Sequence, residues 1–371
     1  MVCDYRNMVE HQDWSGVGER IRAARLGAGL TQNDLGDAVG LDRTMVAKIE
    51  AGGRRIDALE LAKLSAALRV SMAYLLEPPP LVLSRRSVVL TDDTESEIGR
   101  ESSRLDIALA EWISDLRQVV GFGLLVPPPV MRYPSPVSTA QDARQAALWL
   151  RRQLGLGEGP IESMMAFCEQ VGQFALVTSL HGDGASALDG EIAAAVVSVK
   201  GDPGRRRATA AHELGHLVLG DEYSSDLGVH ASRADREAVI DAFAAELLLP
   251  SKAIAGELKA SSPITRDQIV HVAAKYRTSW SLTLRQAEVA GLGPIPRAWA
   301  QSNPTKAEFL EALGFTPQPD LESVRVPPAY AKAVMQAWRE GLVSRARALE
   351  LMHGEIQDQD LPVDLDVDLA P

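Results

Sequence analysis

Residues 207–219 read Arg-Ala-Thr-Ala-Ala-His-Glu-Leu-Gly-His-Leu-Val-Leu, and the spacing of His212, Glu213 and His216 governs how the rest of the chain is read. On a helix, side chains four apart lie one above the other, so the rings of His212 and His216 can reach one ion. Glu213, next to the first histidine, is then placed as the general base that takes a proton from an attacking water. The pattern is the zinc-binding HExxH of metal-dependent hydrolases, with peptide bonds as the expected substrate. An ordinary exposed helix is the competing reading of these five residues.

A catalytic zinc takes three protein ligands and keeps one position open. Glu237-Ala-Val-Ile-Asp241 begins twenty-one residues beyond His216 and leads into the apolar run Phe243-Ala-Ala-Glu-Leu-Leu-Leu-Pro250. Glu237 and Asp241 share a helical face, so the first can be the third ligand while the second accepts the outer N–H of a ligating histidine. This is the ExxxD arrangement of the gluzincin class. The other large HExxH class needs glycine and histidine where this chain has Leu219 and Glu222, and is rejected on residue identity.

These two motifs in tandem resemble the ImmA/IrrE family of bacterial metallopeptidases over about residues 140–290. The resemblance implies Zn2+ held by His212, His216 and Glu237, with Glu213 as general base. It also implies cleavage of a helix-turn-helix repressor in response to a signal such as stress. The usual aromatic residue before the motif is replaced by Ala208. His181, Tyr223 and His230 are candidates for an oxyanion-stabilising group, against a simpler reading of each as a surface loop residue.

The N-terminal part carries a second pattern. Thr31 caps a short helix whose Leu35 and Ala38 are expected to face inward, and Gly40 supplies the turn to a second helix from about Asp42 to Glu50. An apolar pattern follows through Leu59, Ala62, Leu64 and Leu68. Val46 and Ile49 anchor the second helix and leave Arg43, Thr44 and Lys48 outside, residue types suited to base edges. Gln32 and Arg54 or Arg55 are available for phosphate. The segment resembles the phage-repressor, or XRE-like, helix-turn-helix family, which implies a double-stranded DNA operator and, from paired half-sites, a homodimer. A helical interaction module without DNA binding is the alternative, since residues 16–77 hold nine Lys or Arg against eight Asp or Glu.

The expected fold is mainly α with a small β-sheet, of the α+β class. A five-helix helix-turn-helix domain (16–77) leads into a linker with one helix (78–139) and a gluzincin-like metallopeptidase domain (140–292). A helical region (293–356) and a disordered acidic tail (357–371) follow. Pro78-Pro-Pro80 ends the first domain. Residues 81–104, without periodicity, read as a mobile linker, and helical spacing returns at Leu105–Val120. Phe174–Thr178 and Ala194–Val199 read as strands around a Gly-rich loop, His181-Gly-Asp-Gly-Ala. The second strand is the expected sheet edge for an extended substrate. Arg205–Arg207 reads as a solvated turn or a site for an acidic ligand. Helices are expected at Ile264–Tyr276 and Ser281–Ala290, part of them resembling a small winged-helix fragment. A helical hairpin over Val326–Met352 is a candidate dimerisation or sensing element.

Composition bounds these readings. The 371 residues are 46% hydrophobic and carry a net charge of −12, which excludes a general nucleic-acid coat protein and confines any DNA contact to one patch. Cys3 and Cys168 are too few for a disulfide framework and fit a reducing cytoplasm. No apolar run is long enough for a membrane span, and no signal-peptide pattern is read. Two functions fit these residues. In one, a DNA-binding regulator cuts a repressor, either itself within 81–104 or a partner. In the other, a DNA-binding repressor or antitoxin uses its peptidase-like domain as a sensor without proteolysis.

Overall fold

The structure, a computed structural model, describes residues 14–77, 81–85, 97–220, 230–258 and 264–362. The first five helices are α1 (Trp14–Ala28), α2 (Gln32–Val39), α3 (Arg43–Glu50), α4 (Ala58–Leu68) and α5 (Met72–Leu76). Thr31 and Asp34 close a capping box at the start of α2, Gly40 ends it in the left-handed conformation at φ 78°, and Asp42 caps α3. Ile21, Leu35, Val46, Ile49, Leu64 and Leu75 form the core of this bundle. Ala38 is exposed, and Val39 takes the inward position on α2. Leu59 and Ala62 also face outward, leaving Leu64 and Leu68 as the buried stripe of α4.

The chain continues as β1 (Leu81–Arg85), α6 (Glu97–Gly121), α7 (Ala140–Gln153), α8 (Met164–Val171), β2 (Gln173–Thr178), β3 (Gly184–Asp189), β4 (Ile192–Ser198), α9 (Pro203–Leu219) and α10 (His230–Leu248). The strands form one sheet in the order β1-β3-β4-β2. β2 and β4 are parallel, while β3 is antiparallel to β4 and to β1. Alternation along the strands divides the core in two. Ala175, Val177, Ala195 and Val197 face the layer that contains α7, α8, α9 and α10, whereas Phe174, Leu176, Ala194 and Val196 face the layer containing α6.

Several expectations are corrected here. β4 lies inside the sheet, between β3 and β2, so it is not the edge. The Gly-rich segment becomes strand from Gly184 onward, because its small residues pack against a neighbouring helix. Residues 81–85 are paired strand and α6 begins at Glu97, so the segment 81–104 is not a featureless linker; within it, residues 86–96 lie outside the described residues. Arg205–Arg207 is helix, the first turns of α9, with Arg206 and Arg207 buried.

Beyond α10 lie α11 (Ser251–Leu258), α12 (Arg266–Tyr276), α13 (Trp280–Val289), α14 (Arg297–Ala300) and α15 (Lys306–Leu313), with Ile254, Val270, Tyr276 and Trp280 in a core of their own. The hairpin forms as α16 (Pro328–Arg339) and α17 (Arg345–Leu351). Tyr330, Val334 and Leu351 pack beside Trp112 on the second face of the sheet, which commits one side of the hairpin to the core. The tail is not disordered from residue 357: Asp358–Asp360 forms a turn, Leu361 is buried, and Arg345 holds Asp358 at 2.6 Å. Residues 363–371 lie outside the described residues.

α6 joins the two halves. At its N-terminal end Arg104 donates to the Gly27 carbonyl of α1 (2.6 Å) and Ile107 is buried in the five-helix core. Further along, Trp112 is fully buried against the sheet and its indole N–H donates to the Phe174 carbonyl at 3.0 Å.

Candidate metal centre and DNA-reading face

α9 is built to hold its middle deep in the protein. Asp202 caps it, Pro203 starts it and Gly220 ends it. Arg207, fully buried, pairs with Asp320 and donates to the Ile161 carbonyl (2.8 Å), fixing the helix from its first turns. His212, Glu213 and His216 are each at most 1% exposed. Gly215 lets α10 come close, since a Cβ there would meet Ile240 and Phe243 at 3.0 Å. On the other side, a Cβ at Gly184 of β3 would sit 2.8 Å from Thr209 and 3.4 Å from Glu213. Helix, strand and second helix thus converge on the motif because two glycines remove the intervening atoms.

The ligand geometry follows. His212 Nδ1 donates to Asp241 Oδ1 at 2.9 Å, which leaves Nε2 as the ring's lone-pair atom. That Nε2 lies 3.1 Å from His216 Nε2 and 3.1 Å from Glu237 Oε2. His212, His216 and Glu237 place one ligand atom each within 4.8 Å of the others. Donor atoms about 2.0–2.1 Å from one tetrahedral ion stand about 3.3 Å apart. Electron-rich atoms gathered at this spacing suit a cation, and two imidazoles with a carboxylate suit zinc. The ring nitrogens are buried, whereas the side chains of Glu237 and Asp241 are about a third exposed, so the site opens on the α10 side.

Glu213 stands beside this group. Its Oε2 accepts a hydrogen bond from Ser186 Oγ of β3 at 2.8 Å. Its Oε1 is buried and has no hydrogen-bond partner among the described residues. An unsatisfied buried carboxylate oxygen is costly unless another group meets it, and an attacking water is such a group. Ser186 was not legible beforehand, because a serine in a short strand carries no motif. Ala208, which stands where an aromatic is usual, lines a cleft of roughly 490 Å3 that also contains Asp241. Aromatic surface reaches that cleft from Trp280 and Phe309 instead. Of the oxyanion candidates, His181 is exposed and faces Glu101 (3.8 Å), Tyr223 lies outside the described residues, and His230 begins α10. Cys168 is buried in α8, and burial pushes its thiol up to about 12; Cys3 lies outside the described residues.

On the first domain, Arg43, Thr44 and Lys48 are exposed on α3, as their spacing implied. Thr44 Oγ1 donates to Asp42 (2.6 Å), so it belongs to the cap of α3 as well. Gln32 is engaged differently: its amide donates to Glu50 (2.8 Å), which also receives the buried Arg25 at 2.6 Å. Arg54 is bidentate to Glu60 (2.9 and 2.6 Å), while Arg55 is exposed. Gln32 and Arg54, expected at phosphate, thus each hold a partner within the domain. Arg22, Arg43 and Arg100 line a basic cleft of roughly 630 Å3 together with Gln32 and Asn33.

Comparison with known proteins matches two segments of the chain to family models. The helix-turn-helix family model matches residues 21–75, and the IrrE N-terminal-like domain model matches residues 189–287. The uncharacterized HTH-type transcriptional regulator y4aM of Sinorhizobium fredii is 36% identical over 80 residues, covering 22% of this chain and 48% of that protein. The similarly described regulator y4wC of the same organism is 39% identical over 61 residues, 16% of this chain and 43% of that protein. The matches thus span about half the length of these curated relatives. Among solved structures, the restriction-modification controller protein C.AhdI from Aeromonas hydrophila is 34% identical over 18% of this chain and 98% of its own, with a TM-score of 0.17. PlcR of Bacillus thuringiensis, solved with the peptide PapR7 and DNA, is 10% identical over 91% of each chain, with a TM-score of 0.18. No helix among the described residues is long and apolar enough to cross a membrane.

Proposed function

Because the chain joins an XRE-type helix-turn-helix domain to an IrrE-like peptidase domain, we propose that this transcription regulator is a zinc-dependent endopeptidase that cuts a DNA-bound repressor. The repressor is this chain or a helix-turn-helix partner. The observation that carries the reading is the meeting of His212 Nε2, His216 Nε2 and Glu237 Oε2 beside the unpartnered Oε1 of Glu213.

Zinc, when bound by those three residues, supplies Lewis-acid polarisation of a scissile carbonyl. Asp241 holds His212 in the tautomer that presents Nε2. Glu213 takes a proton from the attacking water through Oε1 and passes it to the leaving amine, while Ser186 keeps the carboxylate oriented through Oε2. The water adds its oxygen to the new carboxyl terminus, so the bond broken is the peptide C–N and no further reactant is needed. On the DNA side, Arg43 and Lys48 of α3 read base edges, Arg55 and Arg22 meet phosphate, and a homodimer spans paired half-sites.

The test is a time course by intact mass of zinc-loaded wild-type and Glu213→Gln protein, each with an unfolded protein added in excess. Hydrolysis of the chain or of the added protein in wild type alone is expected. Equal behaviour of the two, with zinc bound to both, would replace this reading with that of a sensor domain.

A further inference from the structure

We propose that the side of β3 facing β1 is the binding edge for an extended protein substrate, and that β1 is its resident occupant, a strand of the chain's own that any other substrate must displace. The word substrate rests on the peptidase reading; the occupancy itself does not.

Three observations point the same way. β3 is the one strand of the sheet that runs antiparallel to both of its neighbours, and without β1 it would be the sheet's open edge. It is also the strand that reaches the base, through Ser186 on Glu213 and through the close approach of Gly184 to α9. β1 lies antiparallel on it with Ser84 opposite Ser186, Arg85 opposite Ala185 and Leu81 opposite Leu188, and it comes close to α9 as well. The backbone of Ser84 and Arg85 therefore passes beside the residue bonded to the general base. An open edge takes up extended peptides through main-chain hydrogen bonds that are largely indifferent to sequence.

The pairing is also built to give way. β1 has five residues, and its register with β3 breaks between Val82 and Ser84. A short strand with a bulge holds fewer regular ladder bonds than a longer strand would. Tethering offsets that weakness, since a neighbouring segment competes at a high effective concentration.

The tether runs to the DNA reader. Arg117 of α6 donates to Glu77, just after α5, at 2.7 Å and to Asp189, the last residue of β3, at 2.6 and 2.8 Å. Leu188, the residue before Asp189, is the partner of Leu81. Arg117 thus ties Glu77, which precedes β1 in the chain, to the end of β3, and α6 holds α1 through Arg104 and Ile107. Docking of the helix-turn-helix domain on α6 and seating of β1 are coupled, so displacement of one weakens the other.

The experiment measures binding of a fluorescein-labelled synthetic peptide of residues 79–88 by anisotropy. It uses the full-length chain carrying Glu213→Gln, dialysed against dilute zinc, with and without Val82→Pro and Ser84→Pro, which remove backbone donors from β1. Freed of its occupant, the edge should bind the peptide at least about tenfold more tightly, the factor by which a 90% occupied site weakens apparent affinity. Arg117→Ala should give an intermediate gain. Replacing residues 81–85 with Gly-Ser-Gly-Ser-Gly serves if the prolines prevent folding. Equal affinity for the intact and released chains, or no binding to a folded released chain, would overturn the proposal. Zinc content read on the same samples separates the two ideas: a gain in peptide binding without zinc would sink the peptidase reading and leave this one standing.

Discussion

Ser186 Oγ lies 2.8 Å from Glu213 Oε2 and joins the middle of β3 to the helix that carries both candidate histidine ligands. The bond engages Oε2, while Oε1 has no hydrogen-bond partner among the described residues. Ser186→Ala is expected to lower hydrolysis about ten- to a hundredfold, the range for a hydrogen bond to a charged group worth about 1.5–3 kcal/mol. Zinc content should be unchanged. Loss of zinc together with activity would show that Ser186 is structural instead.

Asp241 acts on His212 from the side away from the ligand group. Asp241→Asn can still meet Nδ1 but lacks the charge that raises the ring's basicity. Zinc affinity, measured by competition with a chromogenic chelator, should fall about 10–100-fold. An unchanged affinity would remove Asp241 from the account.

Arg54 and Arg43 differ in the way that separates DNA contact from framework. Arg54 is tied to Glu60, whereas Arg43 is exposed at the start of α3. On a duplex selected by the wild-type protein from a random pool, Arg43→Ala and Lys48→Ala should each cost about 1–3 kcal/mol if they reach bases. Arg54→Ala should leave affinity nearly intact. The reverse order would move the reading face away from α3.

The Arg25–Glu50 pair is buried, with side chains 9% and 5% exposed. Glu50→Ala strands the guanidinium and frees Gln32, so the first transition in urea denaturation of the full chain should move by about 3–5 kcal/mol. A shift below about 1 kcal/mol, typical of a solvated surface pair, would contradict the burial.

Much of this was readable because helical periodicity and capping are local. The positions of His212, Glu213, His216, Glu237 and Asp241 follow from 3.6-residue spacing, and Thr31, Gly40 and Asp42 mark helix ends by residue type alone. What stayed hidden depends on partners far along the chain. Arg207 looked like part of a solvated turn because its partner Asp320 is over a hundred residues away. β1 looked like linker because five residues after a proline run show no period, and only their pairing with β3 makes them strand. The inner place of β4 is not legible in the sequence, because strand order depends on pairing between distant segments. Ala38 shows the limit of periodicity itself: on a two-turn helix, one residue's drift exchanges it with Val39.

The most direct test of the central claim is the zinc content of purified wild-type, Glu213→Gln and Glu237→Ala protein after dialysis against dilute zinc. One zinc per chain is expected in the first two and far less in the third. No zinc in wild type, or equal zinc in Glu237→Ala, would contradict it.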